Sequence, residues 1–362
     1  MSTRVLVVDD SAVFRRVVSE ALTGLPDVEV VGTASNGRLA LSRLDSIRPD
    51  LLTVDIEMPE MNGIELLQAI TDAGSTAGTI VLSSLTRRGG ELTMRALELG
   101  AFDFLTKPET TNPAAGIAEL RTRLAPMLRA FQRKREIRSL LAPGAKRVAG
   151  PIETKNAGPV TLRSVTRSGS PLVLIGVSTG GPAALAELLP AIPANFGAPV
   201  LIVQHMPPLF TQALASSLQR KCALRVKEAE NDEIVLAGGV YLAPGGKQMK
   251  IATGPKGEIA VKLTDDPPEN NCRPAVDYLF RSAALSFPGR SIAVILTGMG
   301  QDGTQGLKLL KRSGCFSVAQ DEATSVVFGM PRAAVEAGLV DSVLPLNAIA
   351  HCLLRQVSGT RL

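Results

Sequence analysis

Short apolar runs alternating with amphipathic stretches, in two separate blocks, constrain this chain more than any other feature. In the first block Val5–Val8, Val28–Val31, Leu51–Ile56, Thr79–Leu82 and Phe102–Leu105 read as strands. Helical patterns such as Ser11–Leu22 and Ile64–Ile70 lie between them, and Gly24, Gly74 and Gly100 stand where helices should close. Repeated βα units bury their strands only if the crossover helices cover both faces of a parallel sheet, so a doubly wound, five-stranded α/β fold is expected over 1–120. The alternation lapses over 121–170, where Arg, Lys, Pro, Gly and Ser dominate, which predicts a basic helix running into a flexible linker. It resumes with Leu172–Val177, Val200–Val203, Val240–Leu242, Ile259–Leu263, Ile292–Leu296 and Phe316–Ala319, so 171–362 is expected to form a second doubly wound, mainly parallel α/β domain. The Gly238-Gly239 and Gly245-Gly246 turns suggest a small antiparallel insertion there. A length of 362 residues, more than one core usually serves, agrees with two domains.

Composition narrows the function classes. With 10 Phe, 2 Tyr and no Trp, the cores must be aliphatic, and stacking platforms for unpaired bases are not expected. The net charge of +5 hints at an anionic partner, but residues 121–170 carry 12 basic and 2 acidic side chains. The excess therefore belongs to the linker and is no argument for a DNA-binding fold. Cys222, Cys272, Cys315 and Cys352 form no closely spaced metal-binding pair, and a reducing compartment is the natural reading. The start of the chain does not resemble a signal peptide, and no apolar run approaches the roughly 18 residues of a membrane span. A cytoplasmic, monomeric protein without membrane insertion is expected.

Acidic and hydroxyl side chains collect at the strand ends of the first block. Asp9-Asp10 closes the first strand, Asp55 the third, Ser83-Ser84 the fourth and Lys107-Pro108 the fifth. In a parallel sheet these ends share one edge, where ligands gather. Three converging carboxylates repel unless a cation sits among them, and oxygen ligands at this density suit Mg²⁺. A single Asp here could simply cap the following helix; four successive strand ends bearing such groups argue for a site.

In the second block Gly176-Val177-Ser178-Thr179-Gly180-Gly181 joins an apolar strand to the helix Pro182–Leu189. This fits G-x-S-x-G on a strand-to-helix turn, which exposes a nucleophilic serine beside helix N–H groups. Of the two histidines, His351 falls in an apolar helical pattern, whereas His205 ends a strand through Gln204 and precedes Met206-Pro207-Pro208. A carboxylate should orient it. Asp302, in the glycine-rich loop after Ile292–Leu296, is favoured over Asp321, while Asp277 and Asp265-Asp266 are weaker candidates. The order Ser178, His205, Asp302 differs from that of α/β hydrolases and the main serine proteases, but the chemistry it predicts is still acyl transfer or hydrolysis.

Two resemblances follow from these motifs. Val-Val-Asp9-Asp10-Ser, Val-Asp55-Ile-Glu-Met-Pro59-Glu-Met-Asn-Gly63 and Thr-Lys107-Pro108 resemble the response-regulator receiver domain over 1–120. That implies Asp55 as phosphoacceptor, Asp9, Asp10 and Asp55 as Mg²⁺ ligands, Ser83 as switch hydroxyl and Lys107 as phosphate partner. Phe104 stands where many receivers carry Tyr. Residues 171–351 resemble the chemotaxis protein-glutamate methylesterases through Ile-Gly-Val-Ser178-Thr179-Gly-Gly, Gln204-His205-Met206-Pro-Pro, Tyr-Leu-Ala-Pro-Gly-Gly-Lys, Ile-Leu-Thr-Gly-Met299-Gly-Gln-Asp302-Gly and Val-Val-Phe-Gly-Met-Pro331-Arg. This implies the triad Ser178, His205 and Asp302, with Thr179 nearby and the Met299 backbone at the oxyanion position. It also implies demethylation of glutamate γ-methyl esters on chemoreceptors, deamidation of receptor glutamines, and a chemotaxis histidine kinase as phosphodonor. No cofactor is expected for the ester chemistry, and the unphosphorylated receiver is expected to obstruct the serine site. The competing expectations are a receiver driving an unrelated serine esterase or amidase, and one driving a DNA-binding or adaptor module.

Overall fold

The periodicity of two places consecutive residues of the first strand on opposite faces, and two cores result. In the computed structural model, which describes residues 2–110, 112–141, 171–254 and 257–359, the first compact unit spans Met1–Ile137. Its elements are β1 (Thr3–Val8), α1 (Ala12–Thr23), β2 (Val28–Ala34), α2 (Gly37–Ile47), β3 (Leu51–Asp55), α3 (Gly63–Asp72), β4 (Gly78–Ser83), α4 (Arg87–Glu98), β5 (Asp103–Thr106) and α5 (Pro113–Leu141). The sheet runs β2-β1-β3-β4-β5, every pair parallel. Val5 and Val7 pack with Leu22 of α1 and Leu120 and Leu124 of α5, while Leu6 and Val8 pack with Ala40 of α2 and Leu66 and Ile70 of α3.

Helix starts are fixed by local polar groups. Ser11 Oγ accepts from the Phe14 N–H, and Asn62 and Glu65 form a reciprocal capping box at α3. A Cβ at residue 63 would lie 2.4 Å from the Asp55 carbonyl oxygen, so only glycine lets α3 begin directly against the end of β3. The expected boundary at residue 120 falls inside α5. Leu124, Met127, Leu128 and Phe131 belong to the same core as Val5 and Ile80, and Phe131 packs edge-on against Phe102 with ring centroids 5.4 Å apart. Much of the basic segment is therefore structural helix; the rest of the expected linker, 142–170, lies outside the described residues.

The second unit contains β6 (Leu172–Val177), α6 (Gly181–Leu188) with a 3-10 turn at Leu189–Ala191, β7 (Val200–Gln204), α7 (Phe210–Gln219), β8 (Arg225–Glu228), β9 (Gly239–Leu242), β10 (Gln248–Thr253), β11 (Ile259–Thr264), α8 (Val276–Ser286), β12 (Ser291–Ile295), α9 (Thr304–Arg312), β13 (Phe316–Gln320), α10 (Met330–Glu336), β14 (Ser342–Leu344) and α11 (Leu346–Ser358). Seven strands form one parallel sheet in the order β14-β13-β12-β6-β7-β9-β8. The antiparallel insertion is the β10–β11 pair. Gly238-Gly239 is not part of it, because that turn feeds β9, which pairs parallel with β7 and β8. β6 is buried throughout its length and sits between β7 and β12. The chain leaves β6 toward β7 on one side and returns to β12 on the other, so the crevice at the C-terminal end of β6 is the switch point where a ligand of such a sheet should lie. No helix among the described residues is long and apolar enough to cross a membrane.

Candidate active site

Three strand ends converge at that switch point. Val177 is registered against Gln204, which sets Ser178 and His205 side by side just beyond β6 and β7, and the His205 N–H donates to the Val177 carbonyl. On the other flank the Ser178 N–H donates to the Thr297 carbonyl, at the start of the loop that carries Asp302. His205 Nε2 lies 2.8 Å from Asp302 Oδ2. Sheet register thus gathers Ser178, His205 and Asp302 on one edge.

Asp302 is 3% exposed and held by several donors. Oδ1 accepts from Asn270 Nδ2 and from the N–H groups of Asp277 and Gly303, and Oδ2 accepts from the Val276 N–H as well as the imidazole. Val276 and Asp277 open α8, so the carboxylate also sits at a helix N-terminus, which favours its charge. Burial opposes that charge, but the bonds to His205 and to the α8 N–H groups outweigh it and hold Asp302 below the usual carboxylate range. For His205, burial likewise opposes the charged form, yet the contacts with Asp302 and Cys272 prevail and push it up to about 9.

The rival acids have other work. Asp321 Oδ1 accepts from the Thr324 N–H and hydroxyl, Asp265 pairs with Lys247, and Asp266 accepts from the Tyr278 hydroxyl. Asp277 is buried and raised by that burial, and its carboxylate accepts from the Gly306 N–H and Asn270. His351 is an exposed residue of α11.

The Thr179 carbonyl accepts from Thr297 Oγ1, tying the serine turn to β12. Gly298 Cα lies so close to the nucleophile that an added Cβ would be 2.8 Å from Ser178 Cβ and 2.4 Å from Met330 Sδ. The Gly298 carbonyl accepts from the Gly329 and Met330 N–H groups at 3.0 and 2.8 Å. In a trans peptide this turns the Met299 N–H away from Gly329 and Met330. Several residues were not singled out by sequence. Gln204 Nε2 donates to the Ser178 and His205 carbonyls, Gln320 Oε1 accepts from the Thr297 N–H, Asn270 holds Asp302, and Cys272 lies against His205. Only Gln204 had a signal, its place beside His205 in the motif.

In the first unit the strand ends also converge. Carboxylate oxygens of Asp9, Asp10 and Asp55 lie within 4.8 Å of one another. Lys107 Nζ reaches Asp9 and Asp55, 2.8 Å from each, and lies 4.6 Å from the centre of the Phe14 ring. Burial, only partly offset by Lys107 and reinforced by Asp9 and Asp10, pushes Asp55 up to about 6. Ser83 is buried at the end of β4, and its hydroxyl donates to the Gly89 carbonyl at 3.2 Å. The first unit thus presents an oxygen-only cluster of three carboxylates beside one lysine, whereas the second presents a hydroxyl, an imidazole and a carboxylate. The fold and these two edges point to a regulatory α/β unit coupled in one chain to a hydrolase unit.

Comparison with known proteins agrees. Residues 173–353 match the family model described as CheB methylesterase, and 5–116 match the response regulator receiver domain. The chain belongs to the CheB methylesterase family and is a hydrolase with a receiver domain. A protein-glutamate methylesterase/protein-glutamine glutaminase of Desulfotalea psychrophila is 50% identical over 358 residues, covering 98% of each chain. One of the same description from Nocardioides sp. is 44% identical, over 99% of this chain and 96% of its own. The crystal structure of the Thermotoga maritima CheB methylesterase catalytic domain is 45% identical, with a TM-score of 0.51, covering 52% of this chain and all of that one.

Proposed function

We propose that the chain demethylates glutamate γ-methyl esters and deamidates glutamines on cytoplasmic chemoreceptor segments, through an acyl-serine intermediate, under control of phosphorylation at Asp55. The observation that carries the chemistry is the alignment of Ser178, His205 and Asp302 at the switch point of one parallel sheet. Asp302 occupies Nε2 of the imidazole, which leaves Nδ1 to take the Ser178 proton as Oγ attacks the acyl carbon. The developing oxyanion is stabilised by the Met299 N–H, with Thr179 beside the same turn. The imidazolium then protonates methoxide or amide nitrogen as methanol or ammonia leaves. Water, deprotonated by the same ring, resolves the acyl-enzyme to glutamate and returns the proton to Ser178.

In the receiver, Asp9, Asp10 and Asp55 fit Mg²⁺ by donor type, since all are carboxylate oxygens within 4.8 Å. The ion supplies charge neutralisation for transfer of a phosphoryl group from a kinase phosphohistidine to Asp55. Lys107, already within 2.8 Å of Asp55, pairs with the added phosphate. Ser83 must give up its bond to Gly89 to reach that phosphate, which connects the modification to α4. Unphosphorylated, the receiver holds the hydrolase down.

Methanol release from methylated receptor membranes tests the assignment. Wild type should release methanol faster with Mg²⁺ and a phosphodonor, and Ser178→Ala should release none above background. Equal release by the two proteins would sink the mechanism. Deletion of 1–120 should raise basal release; an unchanged or lower rate removes the inhibitory role of the receiver.

A further inference from the structure

Cys272 lies in the irregular stretch between β11 and α8, far in sequence from the motifs that mark the active site. Its backbone is fixed from both sides: its N–H donates to the Glu269 carbonyl, and its carbonyl accepts from the Glu269 N–H and from Gln248 Nε2. The half-buried side chain is thereby delivered to His205, and Sγ, a His205 ring nitrogen and an Asp302 oxygen all lie within 4.8 Å of one another. A thiol, an imidazole and a carboxylate converging in this way form a ligand set of a different kind from the oxygen-only cluster at Asp9, Asp10 and Asp55.

We propose that His205, Cys272 and Asp302 bind a thiophilic divalent ion, with Zn²⁺ the natural occupant, and that binding reversibly shuts off the hydrolase. Zinc accepts exactly this mixture of sulfur, nitrogen and oxygen, whereas Mg²⁺ does not take thiolate. A tetrahedral ion with ordinary bond lengths needs ligand atoms about 3.4 to 3.8 Å apart. The observed separations require shifts of no more than about 1 Å, with the 2.8 Å His205–Asp302 pair opening slightly. Supporting contacts are already in place. Asp302 keeps its bonds from Asn270, Val276, Asp277 and Gly303 and gives up only the one to the imidazole. The ion takes the place of the proton between Nε2 and Oδ2, the thiol proton also leaves to solvent, and a fourth position remains for water. An imidazole bound to the ion can no longer pass a proton to and from Ser178.

The shut-off rests on the proposed hydrolase mechanism; the binding does not, and the two are read separately. Co²⁺ titrated into the full-length protein in excess Mg²⁺ should produce a thiolate-to-cobalt charge-transfer absorption that saturates near one equivalent and is displaced by Zn²⁺. Cys222 and Cys315, whose thiols burial pushes up to about 11 and about 12, should not contribute. The absorption should survive Cys222→Ser and vanish in Cys272→Ser, with circular dichroism confirming that both variants are folded. If Cys272→Ser does not fold, Cys272→Ala replaces it. Micromolar Zn²⁺ should abolish methanol release, and a chelator should restore it. In Cys272→Ser, with each rate read relative to that variant's own zinc-free rate at the same pH, the half-inhibitory Zn²⁺ should rise at least tenfold, since loss of a supporting partner alone already costs about that much. An absorption that is absent or survives Cys272→Ser overturns the site. Zinc inhibition equal in wild type and Cys272→Ser, or bound metal without inhibition, overturns the shut-off.

Discussion

At the residue scale, the proposed base His205 should set the pH at which the site works. Contacts with Asp302 and Cys272 raise it to about 9, so at neutral pH the resting imidazole is protonated and cannot accept the serine proton. The methylesterase kcat/KM should rise with pH and level off near 9. A plateau already reached at pH 7 would show that the resting ring is neutral. The same shift has a stability consequence of defined sign. His205 is raised above its ordinary 6.5, so the stabilisation it provides is complete below about 6.5 and is lost as pH rises through about 9. Asp302, lowered, contributes stability that is lost as pH falls through the acid range. Asp302→Asn should leave the fold intact and lower kcat by about 10³- to 10⁴-fold, because the ring loses the anion that orients it. A loss below tenfold, measured on folded protein, would remove Asp302 from the triad. Ser178, His205 and Asp302 were legible in sequence because each follows an apolar run, and strand ends in a parallel sheet have one destination. Cys272 and Asn270 were not. They lie in an irregular segment whose path depends on tertiary bonds, such as those from Glu269 and Gln248, that no local periodicity records.

At the scale of elements, the sheet centre was readable and its margins were not. β6, β7 and β12 are buried along their whole lengths and appear as continuous apolar runs. β8, Arg225–Glu228, and β14, Ser342–Leu344, are the two edge strands, where one side has no neighbour and the sequence need not be uniformly apolar. The helix α5 was expected from residue 121 onward, but its share in the first core was hidden for a related reason. Its arginines and lysine dominate the composition, while the buried stripe of Leu124, Leu128 and Phe131 is sparse enough to be hidden by them. Phe131→Ala should therefore destabilise the first unit by about 3 kcal/mol, as read from chemical denaturation. A change under about 0.5 kcal/mol would return this part of α5 to the linker. Gly298→Ala tests the close approach at the nucleophile. Its methyl group would collide with Ser178 and Met330, so kcat should fall at least tenfold while the receiver still accepts phosphate.

At the scale of the whole molecule, two chemistries titrate in different ranges. Asp55, raised to about 6 in the metal-free cluster, must lose its proton for Mg²⁺ to bind, so the Mg²⁺ concentration needed for phosphorylation by a small-molecule donor should rise as pH falls through about 6. Asp55→Asn should eliminate activation by phosphodonor while basal methanol release persists, and chelation of Mg²⁺ should do the same. Loss of basal release under either treatment would mean that the acidic cluster serves the hydrolase directly. The architecture also has a consequence for synthesis. Ser178 and His205 emerge from the ribosome well before Asp302, and their carboxylate arrives only when β12 inserts beside β6, a pairing between distant parts of the chain. A nascent chain thus displays its nucleophile and base without the group that aligns them. The site is therefore complete only when the central sheet closes.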